Sequence, residues 1–329
     1  MTPAAETRVL PALRVPTGLD AWIRAMKSYG IVAAFVVLCA ALGFASDAFF
    51  TWGNWTNIIR QTAINGILAI GVTFVILTKG IDLSVGSIMA LAGAVGASLA
   101  TSANPHALWL SVASACAVGA GLGAVNGLTV ARWSLPPFVV TLGMLSAARG
   151  ITFIFCDGRP IPNLSESFLA MGSGDVLGLP MPIVLLALTF LAGWFTLRYT
   201  VFGRHVYAVG GSEKSARTSG VRVARVVTLA YVISGLLAAL AGLVLTARTT
   251  AALPQAGVAY ELDAIAAVVI GGTSLAGGVG TLTGTLFGAL IIGTINNGLD
   301  LMGVSSYYQQ IVKGAIIVGA VLLDASRRK

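Results

Sequence analysis

Apolar runs of about twenty residues, the length an α-helix needs to cross the hydrocarbon core of a bilayer, recur along this chain. They fall at residues 29–45, 58–77, 83–100, 107–130, 138–155, 182–197, 226–247, 262–270, 282–299 and 308–323. The chain is 57% hydrophobic and only 10% charged over 329 residues, against roughly 25% charged in an ordinary soluble domain. A globular fold of that length has too little interior for so much apolar surface, so lipid is its solvent. The expectation is an all-α integral membrane protein with about ten transmembrane helices. Gly271 and Gly272 interrupt the eighth run early, which marks it as discontinuous.

Charge placement sets the orientation. The net charge of +8 would suit nucleic acid, but the basic residues collect where orientation signals belong. With both termini in the cytoplasm, the inner side holds Arg8, Arg14, Arg24, Lys27, Lys79, Arg132, the six basic residues from Arg198 to Arg225, and Arg327, Arg328 and Lys329. That is fifteen of the twenty Lys and Arg residues. The outer loops receive Asp47, Asp157, Glu166, Asp175, Glu261, Asp263 and Asp300, with Arg60, Arg159 and Arg248. An odd number of spans would put the basic tail outside, against the positive-inside rule. The expected layout is a cytoplasmic leader over 1–28, a membrane domain over 29–324 and a basic tail over 325–329, in a bacterial cytoplasmic membrane. The first run follows a polar leader without a small-residue cleavage site and reads as a retained span. Cys39, Cys116 and Cys156 are far apart, without a CxxC or a nearby His cluster, which argues against a disulfide framework or metal site.

Glycine is abundant, with 40 residues. Gly119, Gly123 and Gly127, and again Gly280, Gly284 and Gly288, recur every four residues, the spacing that lets helix backbones approach closely. Gly80 to Gly86 and Gly272 to Gly278 share the pattern Gly-x-x-Leu-x-x-Gly, each between two spans in its own half. That echo fits either a 5+5 internal repeat with broken helices or chance in a glycine-rich chain.

The string Thr78-Lys-Gly-Ile-Asp-Leu-Ser84 puts an ionisable pair at a break between spans. Intramembrane charges are costly and mark function. Lys79, Asp82 and Ser84 therefore read either as a gate bordering the pathway, or as a snorkelling lysine beside a cap for the third span made by Asp82 and Ser84. Arg149 and Lys313 lie inside the fifth and tenth runs and should face the interior, paired with acids such as Asp300 or Asp263 or else touching substrate. Asn65, Asn126, Thr141, Asn296 and Asn297 are candidates for a hydroxyl-lined route or for interhelical hydrogen bonds.

The longest inner polar segment, 198–225, has Ser212 as an N-cap, a short helix through Lys214 to Arg217, and Gly220 as a stop. It reads as a docking knob for a soluble partner or as a solvated loop that fixes topology. GGSEKS lacks the spacing of a phosphate-cradling loop, and there is no HExxH or G-x-S-x-G. The chain is not expected to be an enzyme.

From about residue 50 onward the chain resembles the permease subunits of bacterial monosaccharide ABC importers, the ribose/xylose/galactose type. The resemblance rests on LTKGIDLSVGSIMALAGA, LPPFVVTLGMLSAARGI, FGRHVYAVGGSEKSARTSGV, and AIAAVVIGGTSLAGGVGTLTGTLFGALIIGTINNGL followed by QQIVKGAIIV. It implies two permease copies around a central route and a periplasmic sugar-binding protein that carries selectivity. It also implies a cytoplasmic ABC ATPase subunit that binds ATP and Mg, with no cofactor on this chain. The loop after the sixth span is then the coupling element, here Gly211, Ser212, Glu213, Lys214, Ser215, Ala216, Arg217 and Gly220. The family pattern carries an Asn and an Ala-Ala pair where this chain has Ser212 and Ser215-Ala216. The rival reading, an ion-gradient-driven transporter of small polar solutes, would need buried acids at a midplane site. It would lose uptake to a protonophore at constant ATP.

Overall fold

The computed structural model describes residues 18–103 and 106–326. Most of the expected leader and the Arg327-Arg328-Lys329 tail lie outside them. The described residues form α1 (Gly18–Ala45), α2 (Trp52–Leu77), α3 (Val85–Ser98), α4 (Leu108–Trp133), α5 (Pro137–Phe155), α6 (Glu166–Ser173), α7 (Met181–Tyr199), α8 (Val201–Gly211), α9 (Glu213–Thr218), α10 (Val223–Arg248), α11 (Tyr260–Ile270), α12 (Leu282–Leu301) and α13 (Ser306–Ser326). A two-stranded antiparallel ribbon, β1 (Asp175–Val176) with β2 (Leu179–Pro180), joins α6 to α7.

A helix sits on each apolar run, while α6 and α8 were not expected. Among the described residues, six helices are long and apolar enough to cross a membrane: α2, α4, α5, α7, α10 and α12. Side chains of the polar connections fix several helix starts. Thr51 caps α2 by accepting from Asn54 N at 3.3 Å, and Thr281 caps α12 by accepting from Gly284 N at 3.1 Å. Proline occupies the first turns of α5 and α7, where its missing N–H costs nothing.

A helix that is apolar all round belongs in an interior, and α2 is such a helix: every residue from Thr62 to Thr78 is buried. Helices α7, α10, α11 and α12 pack around it, α3 and α4 lie against α10, and α5 covers α3 and α4. Helix α1 lies on α12 and α13 on α11. Outward faces of α4, α5 and α7 carry Trp109, Val125, Phe138, Ile154, Leu188 and Phe195, an apolar surface suited to lipid.

The spaced glycines are where backbones touch. Gly119, Gly123 and Gly127 of α4 lie against Gly235, Tyr231 and Thr228 of α10. Gly284 and Gly288 of α12 lie against Gly271 and Ala267 at and beyond the end of α11. Gly280 precedes α12 and packs on Thr273 instead.

Helices α3 and α11 have 14 and 11 residues. At about 1.5 Å per residue neither covers a hydrocarbon core of roughly 30 Å alone. Non-helical chain precedes each, 78–84 before α3 and 249–259 before α11, and their starts meet where Gly86 touches Gly257 and Glu261. The two Gly-x-x-Leu-x-x-Gly strings are thus not equivalent, since one leads into α3 and the other leaves α11.

Candidate functional site

The break after α2 is built from local hydrogen bonds. Thr78 Oγ1 returns to the Val75 carbonyl at 2.8 Å, Lys79 adopts φ +67°, and Gly80 N also donates to Val75 O at 2.9 Å. The chain then stays inside the protein, with residues 80–84 buried or half-buried. Tyr231 Oη donates to the Ile81 carbonyl at 3.3 Å, and Thr141 Oγ1 lies 3.2 Å from the same oxygen.

Asp82 is fully buried at this turn. Its Oδ1 accepts from Ser84 N at 3.0 Å and Ser84 Oγ at 2.6 Å, and its Oδ2 accepts from Ser234 Oγ at 2.8 Å. Asn126 Nδ2 donates to Ser84 Oγ at 2.9 Å. One carboxylate thereby ties the start of α3 to α10 directly and to α4 through Ser84. Lys79, only three residues away, is exposed and forms no ion pair among the described residues. The capping expectation needs correction. Ser84 occupies the N-cap position, but its side chain makes no cap, because its hydroxyl is committed to Asp82 and Asn126. Asp82 closes the turn before the helix.

A second polar line runs between the antiparallel helices α2 and α12. Asn54 and Asn297 exchange amide hydrogen bonds at 3.0 and 2.7 Å, and Thr73 and Thr285 hydroxyls lie 2.9 Å apart. Between those ends, oxygens of Thr62, Asn65, Thr294 and Asn296 are buried without a hydrogen-bond partner. All four lie in the protein interior, where an oxygen without a hydrogen-bond partner is costly. The five neutral candidates therefore divide. Asn297 bonds α12 to α2, and Asn126 bonds α4 to Ser84 at the start of α3 while keeping an unmet Oδ1. Thr141 of α5 reaches the Ile81 carbonyl in the turn, whereas Asn65 and Asn296 each keep a buried oxygen without a partner. Asn54 escaped the sequence reading because polar residues delay the apolar window to Ile58.

The two intramembrane cations have different partners. Lys313 Nζ pairs with Asp263 Oδ2 at 2.9 Å, joining α13 to α11. Among the described residues Arg149 forms no ion pair; its Nη1 donates to the Pro254 and Ala256 carbonyls, each at 2.7 Å. It clamps the non-helical segment before α11, whose carbonyls lack helical partners. Because Asp263 is nearly buried, Lys313→Ala is expected to destabilise the protein by about 3 kcal/mol, the cost of stranding a buried charge. The check is thermal unfolding in detergent, where Lys313→Met with Asp263→Leu should recover most of the loss.

The polar segment 198–225 folds into two helices between α7 and α10. Thr200 caps α8 by accepting from Gly203 N at 3.1 Å, and Ser212 caps α9 by accepting from Ser215 N at 3.2 Å. At the other end of α9, Gly220 N donates to Arg217 O and Val221 N to Ala216 O, with Gly220 at φ +84°. That pair of bonds around a left-handed glycine is the Schellman stop. Arg217 and Glu213 pair at 2.7 Å on the exposed face, and Ala216 is the buried anchor. Lys214 is exposed. Behind α9, Gly210 of α8 lies against Leu77 O, which accepts Gly278 N at 3.0 Å, and Tyr207 Oη donates to Gly280 O at 2.9 Å. The ends of α2 and α8 and the loop 271–281 thus meet directly behind the exposed helix.

A family profile described as branched-chain amino acid transport system / permease component matches residues 54–321. The chain is 48% identical to the ribose import permease protein RbsC of Escherichia coli (strain K12), over 94% of this chain and 96% of that one. Identity is 40% to the D-allose transport system permease protein AlsC of the same strain, over 90% and 91%. It is 36% to the L-arabinose ABC transporter permease protein AraH of Azospirillum brasilense, over 99% and 95%. No solved structure matches the chain. With a profile match over most of its length and relatives named as sugar permeases along nearly all of theirs, the chain belongs to this family of transport-system permease components.

Proposed function

We propose that this chain is the membrane subunit of an ATP-driven importer for a monosaccharide or similar polyol, with ribose the first substrate to test. The observation that carries the reading is α9, a six-residue helix capped at both ends and exposed between α8 and α10. A soluble partner needs such a rigid, charged knob, and an ATPase cleft is the partner this proposal assigns. ATP and Mg belong to that partner, and a separate extracytoplasmic binding protein delivers the sugar. Two copies of the chain enclose the route. In each, Asn65 and Asn296, with Thr62 and Thr294, offer oxygens to sugar hydroxyls, while the turn through Asp82 responds to α9 as the subunit alternates between inward and outward states.

The same proposal assigns ten membrane segments with both termini cytoplasmic: α1 to α5 in one half, and α7 with α10 to α13 in the other. The third member of each half, α3 or α11, is short and follows non-helical chain, which supports two inverted halves. The test is affinity purification of the tagged chain from its native host in mild detergent. An ATPase subunit recovered near one-to-one is expected. A folded chain recovered alone, with uptake that survives ATP depletion but collapses with a protonophore, overturns the reading.

A further inference from the structure

The glycine seam between α4 and α10 ends in an open groove. Gly119, Gly123 and Gly127 bring the two backbones together against Gly235, Tyr231 and Thr228. One turn further the small residues are Ala131 and Ala224, and there a groove of ≈ 320 Å³ opens on the protein surface. It is lined by Ala131, Ala224, Thr228, Leu128 and Leu229, and Arg132 and Arg225 line its mouth at the helix ends, in the last turn of α4 and the first turn of α10. Both leucines and both arginines are exposed, and among the described residues neither guanidinium has a carboxylate partner. Trp133, beside Arg132, is 66% exposed. An exposed tryptophan at the end of a spanning helix sits at headgroup depth, which sets the groove mouth there and its apolar length among acyl chains.

We infer that this groove is a binding site for an anionic phospholipid. One acyl chain lies along Ala131 and Ala224 beside Leu128 and Leu229, and the phosphate is held between Arg132 and Arg225. Charge complementarity selects this occupant. Two unpaired guanidiniums at headgroup depth match a phosphodiester carrying net negative charge, and arginine forks suit phosphate geometry. A zwitterionic lipid brings its own ammonium to the mouth and gains less. The site has a mechanical consequence. Arg225 lies in the first turn of α10, five residues beyond the Gly220 stop of α9, so a lipid held there steadies the root of the coupling element. Assignment to the cytoplasmic leaflet rests on the proposed topology, whereas lipid retention in detergent does not, so the two fail separately.

The experiment is native mass spectrometry of the purified, delipidated chain titrated with phosphatidylglycerol or phosphatidylcholine. The wild type is expected to retain one more phosphatidylglycerol than the variant carrying Arg132→Gln and Arg225→Gln. Affinity at that site should fall roughly twenty-five-fold, about fivefold for each basic residue near an anionic headgroup. The variant carrying Arg132→Lys and Arg225→Lys keeps both charges and should keep the lipid, which separates a binding loss from a folding loss. Equal phosphatidylglycerol retention by wild type and the glutamine variant overturns the inference. So does equal retention of phosphatidylcholine, or a second copy of the chain covering the groove in place of lipid.

Discussion

Replacing residues 213–217 with an equal-length Gly-Ser sequence is expected to abolish uptake while leaving the chain folded and inserted. A six-residue helix has no stability of its own, since nucleation alone is unfavourable in so short a segment. What holds α9 is its Ser212 cap, its Gly220 stop and the burial of Ala216. Each glycine placed in a helix costs about 1 kcal/mol relative to alanine, so several of them melt α9. The spans lose little, because Glu213, Lys214 and Arg217 are exposed and Ala216 is the one buried side chain of α9. The checks are uptake, recovery of the ATPase subunit on the tagged chain, and detergent monodispersity. Uptake and ATPase recovery should both fall to background with the elution profile unchanged. Ser212→Ala removes only the cap, about 1 kcal/mol, and should give an intermediate loss. Normal uptake by the Gly-Ser variant would sink the docking role.

Much of this architecture is legible in the sequence because the bilayer imposes one length and one polarity. The positions of the apolar runs, the glycine seam of α4 and the capped helix at Glu213–Thr218 all follow from local rules. What local rules do not carry is pairing over distance. Nothing in the sequence near Asp82 shows that Ser234, 152 residues away, completes its hydrogen bonding, nor that Asn54 and Asn297 meet. Arg149 misled for a related reason. An intramembrane cation suggests a carboxylate, but the non-helical backbone before α11 exposes carbonyls that serve as well. Helix α8 was missed because its exposed and buried residues mix too evenly for an apolar window, although Thr200 is a legible cap.

That long-range convergence makes Gly210 and Gly211 a matched pair with opposite expected outcomes. A methyl group added at Gly210 points into main-chain atoms of Leu77 and Gly278. Those atoms belong to the end of α2 and to the loop after α11, and the Leu77 carbonyl already accepts the Gly278 N–H. No side chain can rotate aside, so the backbones must separate, at about 1–3 kcal/mol for an overpacked contact. A methyl group at Gly211, one residue nearer α9, meets no atom within 4 Å. Gly211→Ala should therefore transport like the wild type. Gly210→Ala should insert and still bind the ATPase subunit, yet lose transport by between about 5- and 150-fold, the range that 1–3 kcal/mol of coupling represents. ATP hydrolysis that continues without uptake is the signature to look for in vesicles holding both subunits. It would mean that α9 still docks but no longer moves the end of α2 and the Asp82 turn that follows it. Equal transport by the two variants would show that force from α9 enters the membrane by some path other than the junction of Gly210, Leu77 and Gly278.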